Sequence, residues 1–245
     1  VVALGTTRES LEASLKSAIK SSEIKEGEIG QSGPNGNWGC GIHLCTEDVT
    51  SKDGRDGVVS LVKKLSKEVP FRVLVHAMGY STGNGCRPLI ETTQEDLQGM
   101  EVATVLSPLL LTQALLPCYG PPDRFHSNRV LMFVKETSRR TEKAKGIYSI
   151  GEAALRSMVK LLREELAMRS PAVLVGTVQP VDIAEDPKNT VMIGHRDPLL
   201  SVVLASFVSW ACVDADGNQF DKGIDIYDRT HHRHWAAEFK KKKQF

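Results

Sequence analysis

Aromatic side chains make up only 6% of the 245 residues, and no apolar stretch is long enough to cross a bilayer. The richest run, Val102 to Pro117, is interrupted by Thr104, Ser107, Pro108, Thr112 and Gln113, so no membrane span is expected. Cysteine is sparse: Cys40, Cys45, Cys86, Cys118 and Cys212 are scattered, odd in number and form no CxxC pair. That excludes a disulfide framework and a structural zinc site, and fits a reducing compartment. Internal repeats are absent, and the only low-complexity tract is the terminal run of lysines. Neither sign of charge dominates, the formal net charge being +1.

What is present is the make-up of an ordinary globular protein, 41% hydrophobic and 25% charged, long enough to bury one substantial α/β core. The charge is unevenly placed. Residues 229–245 carry Arg229, Arg233, Lys240, Lys241, Lys242 and Lys243 against the single acid Glu238, on an otherwise mildly acidic body. Two readings stand for this basic tail: a solvated terminus, or a contact with phosphate or an acidic surface. Trp235 and Phe239, four apart, form one apolar helical face ahead of the lysines, a pattern that suits an anchor into another subunit or RNA. His231, His232 and His234 have no cysteine or carboxylate partners at ligand spacing, so no metal site is expected. A chain opening on Val1 rather than methionine points to a processed or trimmed N-terminus, or to one lying further upstream.

Apolar runs and amphipathic segments alternate in a βαβα order, the pattern of a doubly wound parallel sheet. Strands are predicted at Val1–Leu4, Ile42–Cys45, Phe71–Val75, Val130–Val134, Ala172–Val178 and Gly223–Tyr227. Helices are predicted at Arg8–Ser22, Asp56–Glu68, Gln94–Leu116, Ser149–Met168 and Pro198–Cys212. In the fourth helix Leu155, Met158, Val159, Leu162 and Leu166 recur at helical spacing and give a continuous packing stripe. Lys25–Gly41, with six glycines and Pro34, reads as a long loop, and Pro121–Asn128 as a second irregular stretch.

Four segments, in the right order, resemble the short-chain dehydrogenase/reductase family. Val73–Gly79 (VLVHAMG) resembles its LVNNAG strand motif, Leu109–Pro117 its next helix, and Tyr148–Leu155 (YSIGEAAL) its catalytic YSASKAAL. Thr46–Thr50 resembles the Asp-Val pair after its third strand. With the following strand and Pro180, the likeness covers roughly residues 42–185. It implies a Rossmann-like doubly wound sheet as a domain over residues 1–228, with 229–245 as the tail.

The same resemblance implies an Asn-Ser-Tyr-Lys tetrad and a glycine-rich phosphate loop, and here the chain departs from it. Tyr148 keeps the tyrosine position, but the lysine one turn on is Glu152, the serine position falls on Lys135, and the asparagine position falls on Thr104. A cation beside a phenol stabilises the phenolate, whereas a carboxylate in the same place opposes it and leaves Tyr148 a poor base. His76 and Ala77 replace the two asparagines of the strand motif, with His76 read as a satisfied core histidine. Val181 follows Pro180 where the family turns on Pro-Gly, and Ser138 restores a serine only if its loop is re-registered.

If Val1–Leu4 is the family's first strand, Gly5–Leu11 stands at the phosphate loop with one glycine left and Glu9 where a phosphate would lie. The 74 residues from Gly5 to Gly79 favour that register. In the alternative, the first βα unit is absent, Val1–Leu4 is the second strand and Arg8–Ser22 the helix after it. Asp48 either bonds an adenine amine or caps the helix after it.

These losses on one surface, with the packing motifs kept, lead to the expectation of a pseudoenzyme. It would have no cofactor, an empty nucleotide cleft and Tyr148 as a relic, with Gly5 and Asp48 vestigial. Lys135 and Glu152 are expected to face each other as an ion pair. The expected role is a structural subunit of a larger assembly, first a mitochondrial ribosome and second another organellar complex. That places it in the mitochondrial matrix, or otherwise the cytoplasm. Protein partners would dock on the helices at 94–116 and 149–168, which the family uses for dimerisation, and RNA on the basic tail. Two alternatives remain: a divergent NAD(P)-dependent oxidoreductase with Lys135 supplying the cation, or an NAD(P)-binding sensor without turnover in which Asp48 matters and Tyr148 does not.

Overall fold

A computed structural model describes residues 2–4, 37–38, 42–67, 70–77, 88–121, 127–134, 146–169, 172–179, 208–213, 215 and 224–225. The chain divides into two compact units, Val1–Pro70 with Ala114–Cys118, and Phe71–Gln113 with Tyr119–Phe245.

In the first unit, β1 (Val2–Leu4) runs parallel to β3 (Ile42–Cys45), with Val2 opposite His43 and Leu4 opposite Cys45. A short β2 (Asn37–Trp38) pairs antiparallel with β3, inside the glycine-rich stretch that reads as a loop. After β3 the chain turns on Asp48, whose Oδ1 accepts from the Thr50 amide (2.9 Å) and hydroxyl (2.6 Å). Ser51 then caps α1 (Lys52–Leu65), its hydroxyl accepting from the Gly54 amide at 3.0 Å. Asp53 in the first turn and Lys63 and Lys64 in the last complement the helix dipole. Gly54, Val58 and Val62, four apart, are the buried face. This cap starts the helix four residues earlier than its apolar spacing suggests.

In a doubly wound sheet of order 3-2-1-4, the third strand pairs with the second and not with the first. The direct parallel pairing of β1 with β3 therefore seats Val2–Leu4 as a second strand, which corrects the preferred sequence register. The pairing also removes the reason for seating Gly5–Leu11 on a phosphate, and those residues lie outside the described ones.

The second unit holds a wholly parallel sheet in the order β4-β5-β6-β7: Val73–His76, Asn128–Phe133, Val173–Gln179 and Ile224–Asp225. Parallel neighbours need long crossovers. Between β4 and β5 runs one helical path made of α2 (Gln94–Glu101), a π turn (Val102–Leu106) and α3 (Ser107–Leu115). Between β5 and β6 runs α4 (Gly146–Ala167). A capping box starts α2, with Thr93 and Asp96 each bonding the other's amide.

The core lies along β5, where Val130, Leu131 and Met132 are completely buried, and under the α4 stripe of Leu155, Met158, Val159, Leu162 and Leu166 expected from the sequence. Burying a side chain of this size contributes about 1.5–3 kcal/mol relative to exposure. At the start of β5 the buried Arg129 donates to the Ala211 carbonyl (2.6 Å), near the C-terminal end of helical residues 208–213, and Tyr119 donates to the Arg129 carbonyl (3.0 Å). Against the expectation from the sequence, the run Gln94–Cys118 is long and apolar enough by length and composition to cross a membrane, and it buries Met100, Thr104, Ser107, Leu111, Thr112 and Leu115.

Candidate functional site

Residues of the second unit that carry chemistry gather near the start of α4. Tyr148 and Glu152 are one turn apart and half-buried, so they share a side of the helix. Between them lies Gly151, buried, and the space a Cβ would take there is filled from α2 and the π turn. That position is 2.5 Å from Met100 Sδ and 3.4 Å from the Thr104 methyl. Thr104 is 5% exposed and sits in the middle of the π turn. Such turns are rare and recur at functional sites. The glycine notch in α4 and the π turn in the opposing helix thus seat Thr104, at the asparagine position of the family resemblance, against Gly151, within one helical turn of Tyr148 and Glu152 at the tyrosine and lysine positions.

His76 closes β4 and is 4% exposed. Its Nε2 lies 2.9 Å from Thr112 Oγ1, in a hydrogen bond whose donor depends on the imidazole tautomer. Burial pushes its pKa down to about 4, so the ring is neutral at pH 7. This is the satisfied core histidine expected from the sequence, and it bonds the helix that carries Thr104.

The described cysteines sit where burial opposes the thiolate. Burial pushes the Cys212 thiol up to about 11, with Arg129 opposing, and raises Cys45 and Cys118 as well. No group of three or more potential metal ligands occurs among the described residues.

Asp48, in the first unit, is fully exposed, and the Thr50 hydroxyl and amide hold its carboxyl below the usual range, with a smaller effect from Arg55. Its Oδ1 is committed to the turn that leads into the Ser51 cap. The helix itself is capped by Ser51 and not by Asp48. Gly5, Lys135, Ser138, Pro180, Val181, the histidine cluster, and Arg229, Arg233, Trp235, Phe239 and Lys240 to Lys243 lie outside the described residues, and with them the Lys135–Glu152 pairing.

Sequence reading missed Gly151, Met100 and Thr112. A glycine inside a helix costs about 1 kcal/mol against alanine, and that was the available sign that another backbone approaches closely at 151.

Neither a protein-family model nor a curated protein matches this sequence. Solved structures do. A short-chain dehydrogenase from Salmonella enterica subsp. enterica serovar Typhi str. CT18 is 16% identical with a TM-score of 0.62, over 93% of this chain and 85% of that one. The fold is that of the short-chain dehydrogenases. One from Streptomyces avermitilis is 22% identical (TM-score 0.53), over 74% of this chain and 55% of that one. Another, from Burkholderia cenocepacia J2315 in complex with NADP, is 15% identical (TM-score 0.54), over 74% and 62%. The chain thus spans little more than half the length of the Streptomyces dehydrogenase. The α/β Rossmann-like fold expected from the sequence is borne out.

The expected role as a structural subunit of a ribosome or other organellar complex is not. The solved structures this chain resembles are dehydrogenases, one of them holding NADP, and none of these three is a ribosomal or organellar-complex protein. That role was inferred from substitutions at single positions and from the basic tail, whereas the fold likeness runs over most of the chain.

Proposed function

We propose that this chain is a divergent NAD(P)-dependent oxidoreductase in which Tyr148 handles the proton and a carboxylate, Glu152, stands in the place of the usual lysine. The observation that carries the reading is the packing of Thr104 against α4 at Gly151, within one turn of both Tyr148 and Glu152. Packing this close is kept at the expense of a glycine inside a helix and a π turn in its neighbour.

The acceptor chemistry fits a nicotinamide riboside. Ribose hydroxyls donate hydrogen bonds and the Glu152 carboxylate accepts them, so Glu152 is the residue that would hold the ribose. When bound, the reduced dinucleotide supplies the hydride. Tyr148 gives the phenolic proton to the substrate oxygen as the carbonyl carbon is reduced.

A second reading, dinucleotide binding without turnover, draws support from the same substitution, because no cation occupies position 152. Titration with NADH and NADPH, coupled to a carbonyl-reduction assay, separates the two. Binding with turnover that depends on Tyr148 supports the reductase, and binding without turnover supports the sensor.

A further inference from the structure

The helical path from Gln94 to Leu115 is held at two places by two different elements of the second unit. In α3, Thr112 is completely buried and bonds His76 at the end of β4, 2.9 Å away. In α2 and the π turn, Met100 and Thr104 fill the space that a side chain at Gly151 of α4 would take. Between these contacts lies the closure of the π turn. There the Ser107 amide and hydroxyl both donate to the Val102 carbonyl, the hydroxyl at 2.7 Å.

A π turn fits one more residue into the turn than an α-helix does, so it offsets the succeeding helix by about one residue, roughly 100° and 1.5 Å. The turn therefore sets the angle between the half that presents Thr104 to α4 and the half that presents Thr112 to His76. If the second contact is released, α3 keeps the packing of its buried Leu111 and Leu115 but loses its hydrogen bond to β4, and relaxation of the turn toward ordinary α geometry would swing Thr104 out of its seat.

We propose that the His76–Thr112 bond is a positioning device for the candidate site, holding this helix in its π-turned register and so keeping Thr104 seated against α4 between Tyr148 and Glu152. His76 and Thr112 touch no reacting atom and act through Thr104. The catalytic consequence rests on the reductase reading, while the structural coupling does not. The neutral state of the buried imidazole supports the role, since a ring that keeps one N–H and one lone pair can bond a hydroxyl in either sense.

The test uses the full chain, isotope-labelled, with the amide resonances of Thr104 and Gly151 as the structural readout. The functional readout is NADPH-dependent reduction of 4-nitrobenzaldehyde as a probe carbonyl. Thr112→Val keeps the volume and deletes the hydroxyl. It is expected to shift both resonances and to lower kcat about tenfold, with the KM for NADPH unchanged within about twofold, as misplacement of a catalytic group by a fraction of an ångström would do. Thr112→Ser is expected to restore both. If Thr112→Val does not fold, His76→Phe, which keeps a ring and removes Nε2, is read in the same way. Resonances that stay in place in these variants overturn the coupling whatever the activity. A wild-type protein that transfers no hydride, with resonances that move as expected, overturns the reductase reading and leaves the coupling standing.

Discussion

Gly151 of α4 and Met100 of α2 are packed so closely that a Cβ at position 151 would lie 2.5 Å from Met100 Sδ and 3.0 Å from its Cγ. Replacing a helix-interior glycine by alanine ordinarily stabilises by about 1 kcal/mol, while forcing a methyl into a filled core costs about 1–3 kcal/mol. Met100 is buried, so its side chain has little room to retreat. Gly151→Ala is therefore expected to lower stability by about 1 kcal/mol in denaturant unfolding. In a Met100→Ala background the same substitution is expected to become stabilising, and the sign change in that double-mutant cycle is the check.

Two glycines of α1 are expected to respond in opposite ways. A Cβ at Gly54 would run into the Asp48 carbonyl oxygen, a backbone atom inside the turn that starts the helix. Gly54→Ala should displace that turn and destabilise by about 3 kcal/mol or more. At Gly57 the nearest atoms belong to the exposed side chain of Glu47, at 2.8 Å, which can swing into solvent. Gly57→Ala should be neutral or stabilising by up to about 1 kcal/mol. Thermal denaturation of the two variants side by side decides it.

His76 ties stability to pH. The folded imidazole takes its proton only near pH 4, the unfolded one near 6.5, because burial opposes the charge. Between those values the unfolded chain binds more protons, so stability is full above pH 6.5, falls as the pH drops toward 4, and levels off below. The loss is on the order of 3 kcal/mol. His76→Phe should flatten that segment of the stability–pH curve measured by urea unfolding.

At the end of β3 the relation is local. The Thr50 hydroxyl and amide hold the Asp48 carboxyl low, and the hydroxyl is the larger influence. Thr50→Val, which keeps the amide, is expected to raise the Asp48 titration toward the ordinary aspartate value without abolishing the turn, as read by carboxyl-carbon NMR.

The α4 stripe from Leu155 to Leu166 was legible from periodicity alone, because its burial is regular along the helix. The π turn is not legible in the same way, since Val102–Leu106 is compatible with a plain α-helix and only the bond from the Ser107 amide to the Val102 carbonyl reveals the offset. The two-residue β2 escaped notice because antiparallel pairing with β3, not local preference, makes Asn37–Trp38 a strand. The position of β1 was misjudged because chain length between motifs says nothing about which strands are hydrogen-bonded.

At the site, Tyr148, Glu152 and Thr104 were all identifiable by position, and their convergence on one place is what the packing at Gly151 adds.

The central claim is tested most directly by mixing the purified protein with NADPH or NADH and monitoring the loss of nicotinamide absorbance with 4-nitrobenzaldehyde, for the wild type and for Tyr148→Phe. The account expects saturable dinucleotide binding in both proteins and hydride transfer in the wild type that falls by about a hundredfold or more in Tyr148→Phe, the range for loss of a general acid. Absence of dinucleotide binding in the wild type, or transfer that is equal in the two proteins, would contradict it.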